Sequence, residues 1–127
     1  MDWNEAQNRI RARVKVGTDV NTPTAHYRII ESVDATVNSQ RYGYRNERGF
    51  VIPIGQASKI KIPWSVLKEC FLQLKAPQGY NGAFFREHFR RQAADHPCYV
   101  HVIGQIFVAA RIAQTDGQRY WISTGQK

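Results

Sequence analysis

The sequence predicts an α+β fold built as a single domain over residues 1–127. The expected order is an N-terminal helix, a small antiparallel sheet at about 27–62, two or three helices at about 63–112, and a closing C-terminal strand. Short segments before residue 63 are rich in β-branched and aromatic residues, whereas apolar residues after it recur at helical spacing. A length of 127 residues with 43% hydrophobic content also fits one core of ordinary composition.

The first predicted helix runs from about Trp3 to Val14. Asp2 and Glu5 have the spacing of a capping box, in which the first side chain accepts from backbone amides and the second reaches back. Apolar residues follow at helical intervals, and Gly17 provides a stop. The other faces of this helix are basic, which indicates either a solvated surface or a contact for phosphates.

The predicted sheet consists of short segments separated by residues that tolerate turn geometry. Alternation is clearest from Lys59 to Ile62, where two apolar side chains point inward and two ammonium groups point outward. Such lysines either contact phosphate or guard an exposed edge against pairing. The predicted segments are 27–37, 41–44, 50–54 and 58–62.

Helical spacing begins after Pro63, where Leu67 lies in an apolar stripe. Asn81 is placed to cap a second helix whose apolar side contains Phe85 and Phe89. We expect these helices to cover one face of the sheet.

Residues 98–111 fit either a helix or a β-hairpin, because branched residues are frequent and Gly104 lies near the centre. Helical periodicity places the polar residues in one narrow sector, so we predict a helix. Because this helix is otherwise apolar, we expect it to be central in its bundle. Residues 119–123 then predict a closing strand that returns to the sheet.

The predicted core draws on every one of these elements. Its members are the large apolar residues that fall on the inward side of each periodic pattern. They are Trp3, Ile10, Ile29, Ile52, Ile60, Leu67, Phe71, Phe85, Phe89, Ile103 and Phe107.

The charge balance indicates a polyanionic partner. Eighteen Lys and Arg against ten Asp and Glu give a formal net charge of +8, which produces a positive field over part of the surface. DNA or RNA is the predicted partner, although charge alone does not separate nucleic acid from an anionic membrane surface or an acidic protein. The chain starts without a secretion signal and has no long apolar window, so we predict a cytoplasmic protein without membrane contact. Cys70 and Cys98 lie in apolar segments and are expected to be reduced thiols.

The segment 41–49 is the most informative for function. Three guanidinium groups and two phenol rings occur there within eight residues, divided by a glycine. Guanidinium groups pair with phosphate oxygens and phenol rings offer faces on which unpaired bases stack, so the segment predicts a nucleic-acid-binding hairpin. The alternative is a strand pair whose tyrosines pack across the sheet and whose arginines are solvated. The candidate residues are Arg41, Tyr42, Tyr44, Arg45 and Arg48.

The second and third helices offer further candidates. Arg86, Arg90 and Arg91 fall on one face of the predicted second helix, where they either contact phosphates or are merely solvated. Three helices followed by a basic strand are also the order of parts in winged-helix modules, whose third helix enters the major groove. The base-reading candidates on that helix are His101, Gln105 and Arg111.

The sequence contains no motif that identifies a reaction. His96, Cys98 and His101 are close together, but their spacing does not match a zinc finger, and we predict no catalytic, cofactor or metal site. The leading prediction is therefore a non-enzymatic nucleic-acid-binding module. The first alternative is a protein-interaction or small-ligand-binding protein that uses the apolar helical face, with a possible homodimer. The second is a small hydrolase or nuclease that uses His88, His96 or His101.

One block of the chain carries a resemblance. It runs from Ile62-Pro-Trp-Ser-Val-Leu through His96-Pro-Cys-Tyr-Val-His-Val-Ile-Gly104 and resembles small uncharacterised proteins carried on bacterial mobile gene cassettes of the integron type. The resemblance covers less than half of the chain. It implies a bacterial accessory protein and transfers no functional residue.

Overall fold

The first helix, α1, spans Trp3–Arg13 and begins where the sequence predicts. The computed structural model of the chain describes residues 1–22 and 28–123. Asp2 caps α1, because its Oδ1 accepts a hydrogen bond of 2.9 Å from the backbone N–H of Glu5. The Glu5 carboxylate is engaged by the Arg9 guanidinium at 3.3 Å. The Glu5 side chain therefore pairs with Arg9, one turn further along the helix.

A three-stranded antiparallel sheet follows α1 in the order β1-β2-β3. The predicted alternation of the third strand is confirmed, since Ile60 and Ile62 are buried while Lys59 and Lys61 are exposed. This sheet and the helices around it confirm the α+β class. The strands are β1, Ser32–Thr36, β2, Arg48–Pro53, and β3, Lys59–Pro63.

Two sequence predictions in this region are wrong. Residues 41–44 are not a strand, because residues 40–43 form a tight turn that is closed by two backbone hydrogen bonds, of 3.0 and 2.8 Å, in an isolated bridge between Ser39 and Tyr44. Gly43 has a φ of +75° in that turn, which only glycine adopts freely. Ile29 is 44% exposed, whereas its neighbour Ile30 is 1% exposed and belongs to the core. The first residue of the predicted segment 27–37 lies outside the described residues.

Four helices follow the first sheet. Asn81 caps the second of them as predicted, since its Oδ1 accepts from the backbone N–H of Phe84 at 3.0 Å. The predicted helix that follows Asn81 is broken at Phe89, where φ is −133° and ψ is 59°. The break therefore lies between Arg86 and Arg90 and divides the predicted helix in two. The helices are α2, Trp64–Leu74, α3, Gly82–His88, α4, Arg90–Asp95, and α5, Tyr99–Ala109.

The helix prediction for residues 98–111 is confirmed by α5. Seven of its eleven residues are buried, which makes α5 the central helix of the fold. Its burial follows from composition, because this helix is apolar outside one narrow polar sector. In the described ranges, no helix has the length and apolar character needed to cross a bilayer.

The closing strand is confirmed, but its predicted return to the first sheet is wrong. It forms the central strand of a second, three-stranded antiparallel sheet. A local hairpin explains this partner, because Gly117 with a φ of +97° reverses the chain directly between the last two strands. The strands are β4, Tyr80–Asn81, β5, Ala113–Thr115, and β6, Arg119–Ile122.

One cluster of buried residues extends from Ala6 on α1 to Tyr120 on β6. Among the predicted core residues, Trp3 and Phe89 are only partly buried, and Ile29 is exposed. The others are essentially inaccessible to water: Ile10, Ile52, Ile60, Leu67, Phe71, Phe85, Ile103 and Phe107.

Candidate nucleic-acid interface

The loop between β1 and β2 carries half of the predicted binding residues. We call residues 38–46 the site loop. Two side chains stabilise its backbone: the Ser39 hydroxyl oxygen accepts from the N–H of Tyr42 at 3.3 Å, and the Asn38 side-chain oxygen accepts from the N–H of Glu47 at 3.2 Å. The short polar residues that predicted a turn in this region therefore close the loop from within.

Asp95, the last residue of α4, anchors the tip of the site loop. Its two carboxylate oxygens accept from Nε and Nη2 of Arg41 at 2.5 and 2.9 Å, which is the two-pronged geometry that suits a guanidinium. The Tyr42 hydroxyl donates to the same carboxylate at 2.5 Å. One acidic side chain on a helix thus fixes both a cation and a ring of the loop.

Two more contacts join the loop to α4, and a third holds its two rings together. The Tyr44 hydroxyl oxygen accepts from Nε2 of Gln92 at 2.6 Å, and Nη1 of Arg91 donates to the carbonyl oxygen of Arg41 at 3.0 Å. The rings of Tyr42 and Tyr44 lie 5.8 Å apart with an angle of 55° between them. Both phenols are therefore fixed at their hydroxyl ends and held beside each other.

The anchor shifts the pKa values of its members in opposite directions. Hydrogen bonds from Arg41 and then from Tyr42 lower the pKa of Asp95 from 3.8 to about 2. Burial, followed by the bond to Asp95, raises the pKa of Tyr42 from 10.0 to about 12. Asp95 stays ionised and Tyr42 stays protonated at neutral pH, so the anchor persists under physiological conditions.

We expect the anchor to be independent of pH between about 4 and 10. Because the folded-state pKa of Asp95 is lowered, the stability it contributes is present above 3.8 and is lost as the pH falls through about 2. Because the folded-state pKa of Tyr42 is raised, its contribution is present below 10.0 and is lost as the pH rises through about 12. Carbon-13 NMR of the Asp95 carboxyl group should give a midpoint near 2.

Tyr42→Phe is the matched control for this titration, because it removes one donor to the carboxylate and keeps the ring. The Asp95 midpoint should rise in the variant while the Arg41 bond remains. A wild-type midpoint at the ordinary value of 3.8 would contradict the anchor.

Three hollows surround the site loop, and further cationic side chains line them. A groove of about 600 Å³ between the loop and α4 is lined by both tyrosines and by Arg90 and Arg91. A hollow of about 540 Å³ on another side of the loop contains Arg45. A smaller pocket of about 120 Å³ is lined by Tyr42, Tyr44, Tyr99 and His96 and by two β3 lysines, Lys59 and Lys61.

The cations around these hollows form what we call the basic surface. Lys59 pairs with Glu31 at 2.9 Å, and Arg41 pairs with Asp95. The other members are exposed and form no ion pair with any residue that the structure describes. Two of the six cations are paired with carboxylates and four have no such partner among the described residues, so the surface remains positive. Its members are Arg41, Arg45, Lys59, Lys61, Arg90 and Arg91.

Two predicted residues do not join this surface. Arg86 lies on α3, before the break at Phe89, and lines a different cleft with residues of the β5–β6 turn. Arg48 is exposed at the first position of β2, beyond the end of the site loop, where it is paired in register with Thr36. The continuous helical face predicted for Arg86, Arg90 and Arg91 is therefore wrong, because the helix ends between them.

Sequence reasoning missed the residues that organise the site. Asp95 and Gln92 lie about fifty positions from the loop they hold, so no local pattern links them to it. The exposure of the two β3 lysines was predictable from sequence, because strict alternation placed both ammonium groups on the outer face.

The polar sector of α5 is not available for reading bases. The Tyr120 ring covers Gly104, and the Tyr120 hydroxyl oxygen lies 2.9 Å from Nδ1 of His101 and 3.4 Å from Nε2 of Gln105. Arg111 lies beyond the end of the helix. The winged-helix arrangement is therefore wrong, because the closing strand packs on the face that would enter the groove.

The side chains considered for catalysis lie apart from one another. His88 borders the groove beside α4, where its Nδ1 lies 3.0 Å from the carbonyl oxygen of Phe84, while His101 contacts Tyr120. Burial raises the pKa of the thiols of Cys70 and Cys98, so neither is an activated thiolate. Within residues 1–22 and 28–123, no three His, Cys, Asp or Glu side chains are grouped in a way that could hold a metal ion.

Comparisons of the chain with protein-family models, with curated proteins and with solved structures find no match.

Proposed function

We propose that the protein binds nucleic acid through the basic surface, with the site loop at its centre. The observation that carries this proposal is the anchoring of the loop by α4, in which Asp95 fixes Arg41 and Tyr42 while Gln92 fixes Tyr44. Rings and cations are held in one place before any ligand arrives. Such preorganisation reduces the ordering cost that flexible side chains incur on binding.

Each part of the surface has a role in this proposal. Arg45, Lys61 and Arg90 pair with phosphate oxygens, because they are exposed and have no carboxylate partner among the described residues. The accessible faces of Tyr42 and Tyr44 stack on bases or sugars, since their hydroxyl groups are already bonded within the protein. Arg41 contributes positive charge and also holds the loop in place through its bonds to Asp95.

The test is a triple variant of the unpaired cations, Arg45→Gln, Lys61→Gln and Arg90→Gln. These side chains make no hydrogen bond within the described ranges, so their loss changes charge and leaves the loop anchored. The affinity for labelled duplex DNA, single-stranded DNA and RNA is measured by fluorescence anisotropy at several salt concentrations. The slope of log affinity against log salt should become shallower by about 0.9 per lost contact on a duplex and about 0.7 on a single strand.

The matched control removes the same charge elsewhere through Arg13→Gln, Lys15→Gln and Lys68→Gln. These exposed residues lie at the end of α1 and on α2, and none of them lines a hollow beside the site loop. We expect the control to keep most of the affinity and nearly the full salt slope. Equal affinities of the two triple variants would show that the basic surface is not the binding site. Wild-type binding that does not change with salt would contradict nucleic-acid binding itself.

The predicted apolar helical face provides no external surface for a dimer or a ligand. The apolar residues of α5 are buried within the protein. The large hydrophobic residues exposed in the described ranges are Met1, Val16, Ile29 and Leu72, and none of them belongs to α5. The interaction hypothesis and the predicted homodimer therefore lack the surface that motivated them.

A further inference from the structure

A second polar cleft lies at the edge of the second sheet, away from the site loop. Its volume is about 630 Å³, within the range of small-molecule sites. It lies between the start of α3 and the β5–β6 turn. The side chains that matter for its chemistry are Asn81, Arg86, His101, Asp116, Gln118 and Arg119.

Arg86 brings a positive charge without a protein partner to this cleft. Its guanidinium folds back over Gly82, and a Cβ at Gly82 would lie only 2.7 Å from Nη1. Because glycine has no Cβ, the guanidinium of Arg86 can occupy this space. No carboxylate in the described part of the chain pairs with Arg86.

Arg119 brings a second guanidinium in a fixed position. Its guanidinium carbon lies 4.9 Å from the centre of the Trp121 ring, which supports it from one side. Its Nε lies 3.6 Å from Oδ2 of Asp116. The other oxygen of Asp116 accepts from the backbone N–H groups of Gln118 and Arg119, both at 3.0 Å. Asp116 thus shapes the turn and offsets only one of the two guanidinium charges.

His101 adds a neutral hydrogen-bond donor to the cleft. Nε2 of Gln105 donates to the Tyr120 hydroxyl oxygen at 3.4 Å, so the hydroxyl hydrogen is free to be donated to Nδ1 of His101 at 2.9 Å. This arrangement assigns the ring proton to Nε2. The side-chain amides of Asn81 and Gln118 offer further N–H groups, because only the Asn81 oxygen is used, as the cap of α3.

We propose that this cleft binds the phosphate group of a small phosphorylated molecule. Two guanidinium groups, an imidazole N–H and two amides converge on a space that contains one carboxylate, whose charge Arg119 offsets. Donor-rich lining with a net positive charge matches the several acceptor oxygens of a phosphate. The proposal does not depend on nucleic-acid binding, since none of these residues belongs to the basic surface.

The test is a titration of the full chain with inorganic phosphate and with glycerol phosphate, followed by nitrogen-15 NMR. The amide signals of residues 81–83 and 116–119 and the Nε signals of Arg86 and Arg119 should shift together and saturate. Loss of one charge-assisted contact should weaken binding about tenfold, so Arg86→Gln and Arg119→Gln should each reduce the affinity by roughly that factor. Arg13→Gln, which changes an exposed arginine on α1, should leave it unchanged.

Sodium chloride at matched ionic strength is the second control. Shifts of the same size and pattern with chloride would overturn the proposal, because they would report general screening. Equal affinities of wild type, Arg86→Gln and Arg119→Gln would overturn it as well. Shifts that appear only with an oligonucleotide, and with neither small phosphate, would assign the cleft to a strand-binding surface and would also refute the proposal.

Discussion

Gly49→Ala should lower the free energy of unfolding by more than about 3 kcal/mol, or prevent folding altogether. A Cβ at this position would lie 1.9 Å from the carbonyl oxygen of Ile62 and 2.7 Å from Cα of Pro63. Both are backbone atoms of the neighbouring strand and cannot rotate away. The strand pairing of β2 with β3 would have to open, and this pairing also positions Lys59 and Lys61 beside the site loop.

Gly55→Ala is the matched control for Gly49→Ala. A Cβ at Gly55 meets no atom within 4 Å, so this change should be nearly neutral or stabilise by about 0.4–1 kcal/mol through the unfolded chain. Urea denaturation of both variants measures the difference. Equal stabilities of the two variants would contradict the close approach of β2 and β3 at Gly49.

Gly104→Ala should also destabilise the protein strongly, by about 1–3 kcal/mol or more. A Cβ there would lie 2.2 to 2.5 Å from three atoms of the Tyr120 ring, which is itself only 1% exposed. Because Tyr120 also contacts His101, displacement of its ring should reduce phosphate binding in the second cleft together with stability.

Tyr120→Leu tests whether the ring is the cause. The single change should destabilise the protein, because the buried ring leaves a cavity and Gln105 and His101 lose a partner. In the double variant the alanine no longer meets a ring, so the cost of Gly104→Ala should largely disappear. Strict additivity of the two changes, measured by urea denaturation, would exclude the proposed contact.

The elements with a strong local pattern were predictable. The strict alternation from Lys59 to Ile62 predicted β3, and helical spacing predicted α2 and α5. The burial of isolated apolar residues was harder to predict, because a shift of one residue exchanges the two faces of an extended segment. Ile29 and Ile30 illustrate this, since the buried one could not be chosen from sequence.

The break at Phe89 was not predictable from its neighbours. Residues on both sides favour helix, and no proline or glycine marks the end. Phe89 packs against the core while α4 turns toward the site loop. Tertiary contacts therefore overrode a local preference, and the break decided which arginines belong to the basic surface.

The sequence alone determined the fold class, the excess of positive charge, and the local grouping of arginine and tyrosine residues in the site loop. These properties depend on composition or on neighbours in the chain, which leave a readable pattern. Only the tertiary structure decided that Asp95, 54 positions from Arg41, holds that loop, and that Arg86 belongs to a second cleft. The reason is physical: a single contact between distant residues has no periodicity, so it exists as a signal only once the chain has folded.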